Sequence, residues 1–182
     1  MYKRSGKPIE GFVDADWASE KEDRVSCSGY VIKFASGAVA WASRKQDCVA
    51  TSTAEAEYVG LELCAKKAIV LHNILEHLSK VNKGAVLNSS ALSAINELCG
   101  KFVLFNDNQS AVKNANSPDI KERSKHIDIK YHFVKKLVED GKVIVKYCPT
   151  SEMVADISTK GLVKVKHLKC IEGMNMLKVY ID

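Results

Sequence analysis

The chain has 182 residues, enough for one domain with a sizeable core. Hydrophobic residues make up 46% and charged residues 27%, a folded globular balance rather than a disordered one, and no window approaches the roughly 18 uninterrupted apolar residues of a membrane span. A formal charge of +5 tilts modestly toward a polyanionic partner.

The basic N-terminus, Met1 to Pro8, is followed by no signal-peptide apolar stretch, so the chain is expected to be made and kept inside a cell. Strand signals then crowd together. Ile9 to Trp17 is one run, Cys27 to Phe34 a second, and Ala38 to Ser43 a third, with Ala35-Ser36-Gly37 as a tight hairpin connection. The pattern predicts an antiparallel meander. At Thr51-Ser52-Thr53 the chain offers an N-cap, and Ala54 to about Leu78 has helical spacing. A strand is predicted over Lys101 to Asn106, a short helix over Gln109 to about Asn116, and a basic helix from about Ile127 to Asp140. Gly141 closes that helix, Lys142 to Cys148 reads as a strand, Pro149 breaks it, and Glu152 to Thr159 reads as helical. Strands first, then alternating helix and strand, predict an α/β fold with a mixed sheet flanked by helices. The polar segment 81–100 reads as a surface insertion with a short helix from Ala91 to Leu98, and 163–182 as a basic C-terminal tail after a domain spanning 1–162.

The six cysteines (Cys27, Cys48, Cys64, Cys99, Cys148, Cys170) form no C-x-x-C and no tight Cys/His cluster, which excludes a zinc ribbon and argues against a disulfide scaffold. Most of them read as small core residues in a reducing compartment. The acids are more informative. Asp14, Glu57, Asp107 and Asp156 lie roughly fifty residues apart, each in a context that aims it at one place. Four converging acids repel unless cations neutralise them, and a hard divalent ion with oxygen ligands, Mg²⁺ above all, is the natural solution. Metal-assisted phosphodiester cleavage is the expected chemistry.

Helical spacing separates Glu57 from Glu55. From Glu57 the face runs through Leu61, Cys64, Ala65, Ala68, Leu71 and Leu75; from Glu55 it runs through Glu62 and Lys66. Glu57 is therefore expected to head the buried stripe, and Glu55 to point at water where the helix dipole favours it. On the first strand, alternation puts Phe12, Asp14 and Asp16 on one face and does not choose between the two acids; Asp14 lies deeper in the apolar run and is the costlier to bury. Asp107 ends a strand, where ligands tend to bind in open sheets, with a helix N-cap for Gln109 onward as the alternative. Asp156 stands in an otherwise apolar segment.

These residues spell a family pattern. Phe12-Val13-Asp14-Ala15-Asp16-Trp17-Ala18, Ser28-Gly29-Tyr30-Val31, Ala40-Trp41-x-Ser43-x-Lys45-Gln46 and Ala54-Glu55-Ala56-Glu57-Tyr58 resemble the ribonuclease H domain of copia-type LTR retrotransposon Pol polyproteins. So do Asn106-Asp107-Asn108-Gln109-Ser110-Ala111, Ser124-Lys125-His126-Ile127-Asp128-Ile129-x-Tyr131-His132-Phe133, and Ala155-Asp156-Ile157-x-Thr159-Lys160. The match runs from about Gly11 to Leu162. It implies the ribonuclease H-like fold, a five-stranded mixed sheet with helices on its faces. It also implies a two-Mg²⁺ endonuclease, with Mn²⁺ as a substitute, that hydrolyses the RNA strand of RNA/DNA hybrids during reverse transcription. The family's catalytic and metal-binding acids fall on Asp14, Glu57, Asp107 and Asp156. The implied partners are the hybrid and the reverse transcriptase domain of the same polyprotein, with no membrane, and the implied setting is a cytoplasmic particle or the nucleus.

The hybrid is expected to be gripped through its phosphates by the basic stretch Lys113, Lys121, Arg123, Lys125, Lys130, Lys135 and Lys136, with Asn108 and Gln109 reaching the minor groove. Trp17 and Trp41 read as core or groove wall. The chain departs from the family pattern in its long 81–100 connection, in Gly161 where a Pro often follows Thr159-Lys160, and in a Met1 only a few residues ahead of the domain, as expected of a fragment or stand-alone copy. The loop Cys148-Pro149-Thr150-Ser151-Glu152 lacks the histidine that some cellular ribonucleases H carry there, so His126 and His132 receive no such role. A catalytically silent or domesticated nucleic-acid-binding fragment is the competing expectation; a DNA-cutting transposase or integrase fits less well, because its essential glutamate comes late in the chain.

Overall fold

The structure, a computed structural model, describes residues 7–18, 22–81, 101–117 and 125–176. Most of the expected insertion, including the Ala91 to Leu98 helix, lies outside these residues, as do Lys121 and Arg123. Five strands form one sheet in the order β3-β2-β1-β4-β5: β1 Glu10–Asp16, β2 Cys27–Phe34, β3 Gly37–Lys45, β4 Phe102–Asn106 and β5 Val143–Tyr147. The first three pair antiparallel, and β4 and β5 run parallel to β1. Four α-helices accompany them among the described residues: α1 Thr53–Val81, α2 Gln109–Asn116, α3 Lys125–Glu139 and α4 Lys164–Gly173. This is the mixed α/β architecture expected from the alternation of elements.

The β2–β3 hairpin turns through Ala35 (φ 50°) and Ser36 (φ 68°), and Gly37 already belongs to β3. Both turn residues take the left-handed conformation that a two-residue turn needs to match strand twist, although neither is the glycine or asparagine usually found there.

Period-two alternation sorts the sheet's side chains into two layers. Val13, Tyr30, Ile32 and Leu104 pack with Leu61, Cys64, Ala68 and Val134 on the face covered by α1, α2 and α3. Tyr58 of α1 stacks on Tyr131 of α3, centroids 3.5 Å apart, fixing the two helices against each other. Val31 points the other way and packs with Ala38, Val154 and Met174. The second layer consists of two 3₁₀ turns, Thr150–Glu152 and Val154–Ser158, and of α4. The sequence predicted one helical segment over Glu152 to Thr159; Met153 instead separates two tighter turns, too short for an α-helical hydrogen-bond ladder. Residues 164–174 pack onto this layer, with Cys170 and Met174 buried and the Met174 carbonyl accepting from the Ala38 N–H at 3.0 Å.

Two glycines let both layers approach the sheet. A Cβ on Gly29 would lie 2.6 Å from Thr159 Cγ2 and 2.8 Å from Ser158 Cβ, so its absence lets the second 3₁₀ turn lie directly on β2. A Cβ on Gly60 would lie 2.9 Å from Val13 Cγ1, so α1 can sit low on β1. Gly29 is paired with Asp14 across the β1–β2 ladder. Both close approaches therefore occur where the acids meet.

Candidate metal centre

Asp14 lies within the buried Val13–Ala15 stretch of β1 and is itself fully buried. Its neighbour in the parallel ladder is β4, where Val13 is in register with Asn106 and Asp107 follows immediately. Glu57 comes from the second turn of α1. Asp14, Glu57 and Asp107 each offer a carboxylate oxygen, and these oxygens all lie within 4.8 Å of one another. Three acids so distant in sequence meet at the carboxyl ends of parallel strands, where the sheet leaves a crevice between layers.

The start of α1 explains why Glu57 and not Glu55 reaches the crevice. The Glu55 N–H donates to Ser52 Oγ at 3.2 Å, and the Glu55 carboxylate accepts from the Thr51 N–H and from Thr51 Oγ1, the latter at 2.6 Å. This reciprocal cap satisfies donors that the first turn leaves unpaired. The expected water-facing stripe is corrected here. Glu55 and Glu62 are both buried, Glu55 in the cap and Glu62 against the Lys66 ammonium. The helix spacing marked the wet side by residue polarity, but the cap and the ion pair fold those acids inward. Glu57 lies on the apolar stripe as the spacing predicted, and it is also buried.

Asn106 holds Glu57 in place. Its Nδ2 donates to Glu57 Oε2 at 2.8 Å and to the Val13 carbonyl at 3.0 Å, while its Oδ1 accepts from the Asn108 N–H at 3.0 Å. One fully buried amide thus ties α1, β1 and the start of α2 together. The cap of α2 is Asn108, whose Oδ1 accepts from the Ala111 N–H at 3.0 Å. Asp107 is not the cap; its Oδ2 accepts from Thr150 Oγ1 at 2.7 Å and its carboxylate faces the crevice.

Asp156, in the second 3₁₀ turn, is fully buried but stands outside the three-acid cluster. It is joined to that cluster through Lys160, whose Nζ lies 2.9 Å from Asp14 Oδ1 and 3.1 Å from Asp156 Oδ1. Lys166 from α4 pairs with the other oxygen of Asp156, and the Thr159 hydroxyl donates to Asp14. Thr159 and Lys160 stand in a sequence motif that assigns them no role, and none is expected from sequence for Asn106 or Lys166. A Lys four residues after an acid is the local signal for the Asp156 pair; the reach across to Asp14 has none.

Burial raises the Glu57 carboxyl to about 8, and the Asp14 charge adds to the rise against the hydrogen bond from Asn106. Burial also raises Asp14, opposed by the bonds from Thr159 and Lys160. Burial lowers the Lys160 ammonium, but the bonds and charges of Asp14 and Asp156 outweigh it and hold the group above its usual range. Among the described residues, the hydrogen-bond partners of Glu57 and Asp107 are neutral: Asn106 and the Ala15 backbone for Glu57, and Thr150 for Asp107. Converging carboxylate oxygens with no cation of their own are a donor set that fits a hard divalent ion.

The other expected site residues are placed less centrally. Gln109 and Lys113 are exposed on α2, and Lys136 is exposed on α3. Lys130 is half-buried, its Nζ 3.9 Å from Cys48 Sγ. Lys130 also lines a cleft of ≈ 360 Å³ between the end of β3, the middle of α1 and α3, together with Arg44, Lys45, Lys66 and Lys67. These last four come from two separate elements, β3 and α1, so no contiguous basic run in the sequence marks them as a group. In that cleft the buried Gln46 donates to the Ala56 carbonyl at 2.9 Å, next to Glu57. Trp17 and Trp41 are 45% and 58% exposed, so neither belongs to the core. The Trp17 indole N–H donates to the Ala50 carbonyl at 3.1 Å, and Trp41 stands on the outermost strand.

Over 168 residues the chain is 33% identical to the retrovirus-related Pol polyprotein from transposon TNT 1-94 of Nicotiana tabacum, a match covering 92% of the chain and 11% of the polyprotein. The chain is homologous to a segment of plant retrotransposon Pol polyproteins. It spans about a tenth of the length of the relatives it matches. No family profile matches. Among solved structures, the N-terminal ribonuclease H domain of a Mycobacterium tuberculosis protein superposes with a TM-score of 0.55 at 14% identity, covering 93% of the chain and 94% of that domain. The foamy viral protease-reverse transcriptase in complex with an RNA/DNA hybrid superposes with a TM-score of 0.51 at 15% identity, covering 82% of the chain and 18% of that protein. The fold is ribonuclease H-like. Among the described residues, no helix is long and apolar enough to cross a membrane.

Proposed function

We propose that the chain is a metal-dependent ribonuclease H that hydrolyses the RNA strand of RNA/DNA hybrids as part of a retrotransposon Pol polyprotein. The observation that carries this reading is the convergence of Asp14, Glu57 and Asp107 within 4.8 Å. The ribonuclease H-like fold and the kinship with transposon Pol polyproteins support it.

Asp14, Glu57 and Asp107 would hold the divalent ion, and hard oxygen donors favour Mg²⁺, with Mn²⁺ as a substitute. When bound, the metal supplies Lewis-acid stabilisation of the phosphate and an acidified water for attack. The protein's residues do the positioning. Asn106 orients the Glu57 carboxylate toward the crevice, and Thr150 orients Asp107. Asp156 anchors Lys160 against Asp14, which keeps the first-strand carboxylate in one orientation, and we assign Asp156 to the second metal position. The hybrid's phosphates are matched by the cationic cleft of Arg44, Lys66, Lys67 and Lys130, and by the exposed Lys113 on α2, the helix that follows Asp107. Gln109 is exposed beside Asp107 and free to meet a groove edge. The foamy viral protease-reverse transcriptase, which shares this fold, is seen in complex with an RNA/DNA hybrid, and we assign that substrate class here.

The deciding experiment is cleavage of an end-labelled RNA/DNA hybrid by the chain, with Mg²⁺ and with a chelator, alongside Asp107→Asn. Magnesium-dependent RNA-strand products that vanish in the variant support the reading. Binding of the hybrid without cleavage under any divalent ion would favour the silent nucleic-acid-binding fragment instead.

A further inference from the structure

The acids of the crevice fall into two electrostatic groups. Glu57 and Asp107 meet no lysine or arginine among the described residues, whereas Asp14 and Asp156 already share one ammonium. Both of the shared carboxylates are essentially buried, with side chains 1% and 0% exposed, while the Lys160 side chain keeps 36% of its surface in contact with solvent. Its position is set by the backbone: the Lys160 N–H donates to the Asp156 carbonyl at 3.0 Å, closing the turn so that the side chain folds back over the acid four residues earlier. Thr159, one residue before, donates to Asp14 from the same turn. The ammonium thus sits between two buried carboxylates at the end of a side chain that is itself part-exposed.

We propose that Lys160 is the site's built-in second cation: the substrate-free protein holds one divalent ion through Asp14, Glu57 and Asp107, and a second ion enters between Asp14 and Asp156 only by displacing the Lys160 ammonium. This rests on the reading of the acids as metal ligands. Two facts support an exchangeable counter-ion over a fixed strut. A lysine is a flexible point charge with rotatable donors, suited to leaving as a unit, where an arginine fork would lock both carboxylates. Lys166 independently pairs with the other oxygen of Asp156, so withdrawal of Lys160 does not leave that buried acid without a cation. An ammonium tethered on the same turn competes at a high effective concentration, which a freely diffusing ion must overcome.

The test is Mn²⁺ titration of the full chain, read by the paramagnetic resonance of free Mn²⁺, for the wild type, Lys160→Met, Lys160→Gln and Lys160→Arg, with thermal unfolding in chelator beside it. The wild type and Lys160→Arg are expected to take up one ion over the accessible range. Lys160→Met and Lys160→Gln are expected to take up two, the second with an affinity at least about tenfold above that of the wild type. Both neutral variants should also unfold at a lower temperature in chelator and recover with Mn²⁺. Two equal sites in the wild type, or an unchanged single site in both neutral variants while Asp107→Asn abolishes it, would overturn the role of Lys160 and leave the metal centre standing. Failure of every variant and the wild type to bind Mn²⁺ would overturn the metal centre itself.

Discussion

The two sides of the crevice solve the same electrostatic problem in opposite ways. On the β4 side, Glu57 and Asp107 are held by neutral donors, and the folded protein tolerates the Glu57 carboxyl by keeping its proton, which burial and the Asp14 charge raise to about 8. On the 3₁₀ side, Asp14 and Asp156 are compensated by Lys160 and Lys166. The contrast teaches that one half of the site holds its carboxyls with neutral donors alone, whereas the other half carries its own cations.

The largest expected effect separates the halves by function. Asp107→Asn removes a carboxylate that has no internal cation, so cleavage of the hybrid should fall by more than about 100-fold while stability in chelator holds or rises. A hybrid-cleavage assay paired with denaturant unfolding checks both. Asp156→Asn should show the reverse emphasis in chelator. It leaves Lys160 and Lys166 beside an uncharged amide, and the fold should lose about 2 kcal/mol, discounted because both ammonium groups are partly exposed. An Asp156→Asn fold as stable as the wild type would erase the distinction between the two halves.

A pH series sharpens the comparison next. The folded Glu57 titrates near 8 against an ordinary value of 4.5, so between these values the metal-free folded state holds a proton that the unfolded chain has lost. Stability from this group therefore falls as pH rises through that window, by at most about 1.4 kcal/mol per pH unit. Metal binding must expel the same proton, so Mn²⁺ affinity should climb toward pH 8 and then level. Glu57→Gln should flatten both slopes, as unfolding and titration at several pH values would reveal.

The smallest effect is steric. Gly29→Ala places a methyl group against Thr159 and Ser158. It should lift the second 3₁₀ turn off β2, cost about 1 kcal/mol and loosen the Lys160 bridge, with the Glu57–Asn106 contact unchanged. Wild-type stability in that variant, measured in chelator, would show that the turn has slack.

Much of this molecule was legible in its sequence because the signals are local. Period-two runs located the strands, the Thr51-Ser52-Thr53 cap located α1, and the apolar spacing below Glu57 chose it over Glu55. A 3.6-residue period is a property of neighbours, and it carries that far. It failed at Glu62 and at Glu55, where a pairing partner or a cap overrode the polarity of the face. Residues 164–174 read as a tail because a short amphipathic helix has no partner in sequence; only the packed sheet shows Met174 against Ala38. Likewise the sequence by itself assembled the list of acids. Which of them would be neutralised, and by what, was decided by tertiary structure alone, because an ion pair depends on distance in space and Lys160 stands 146 residues from Asp14.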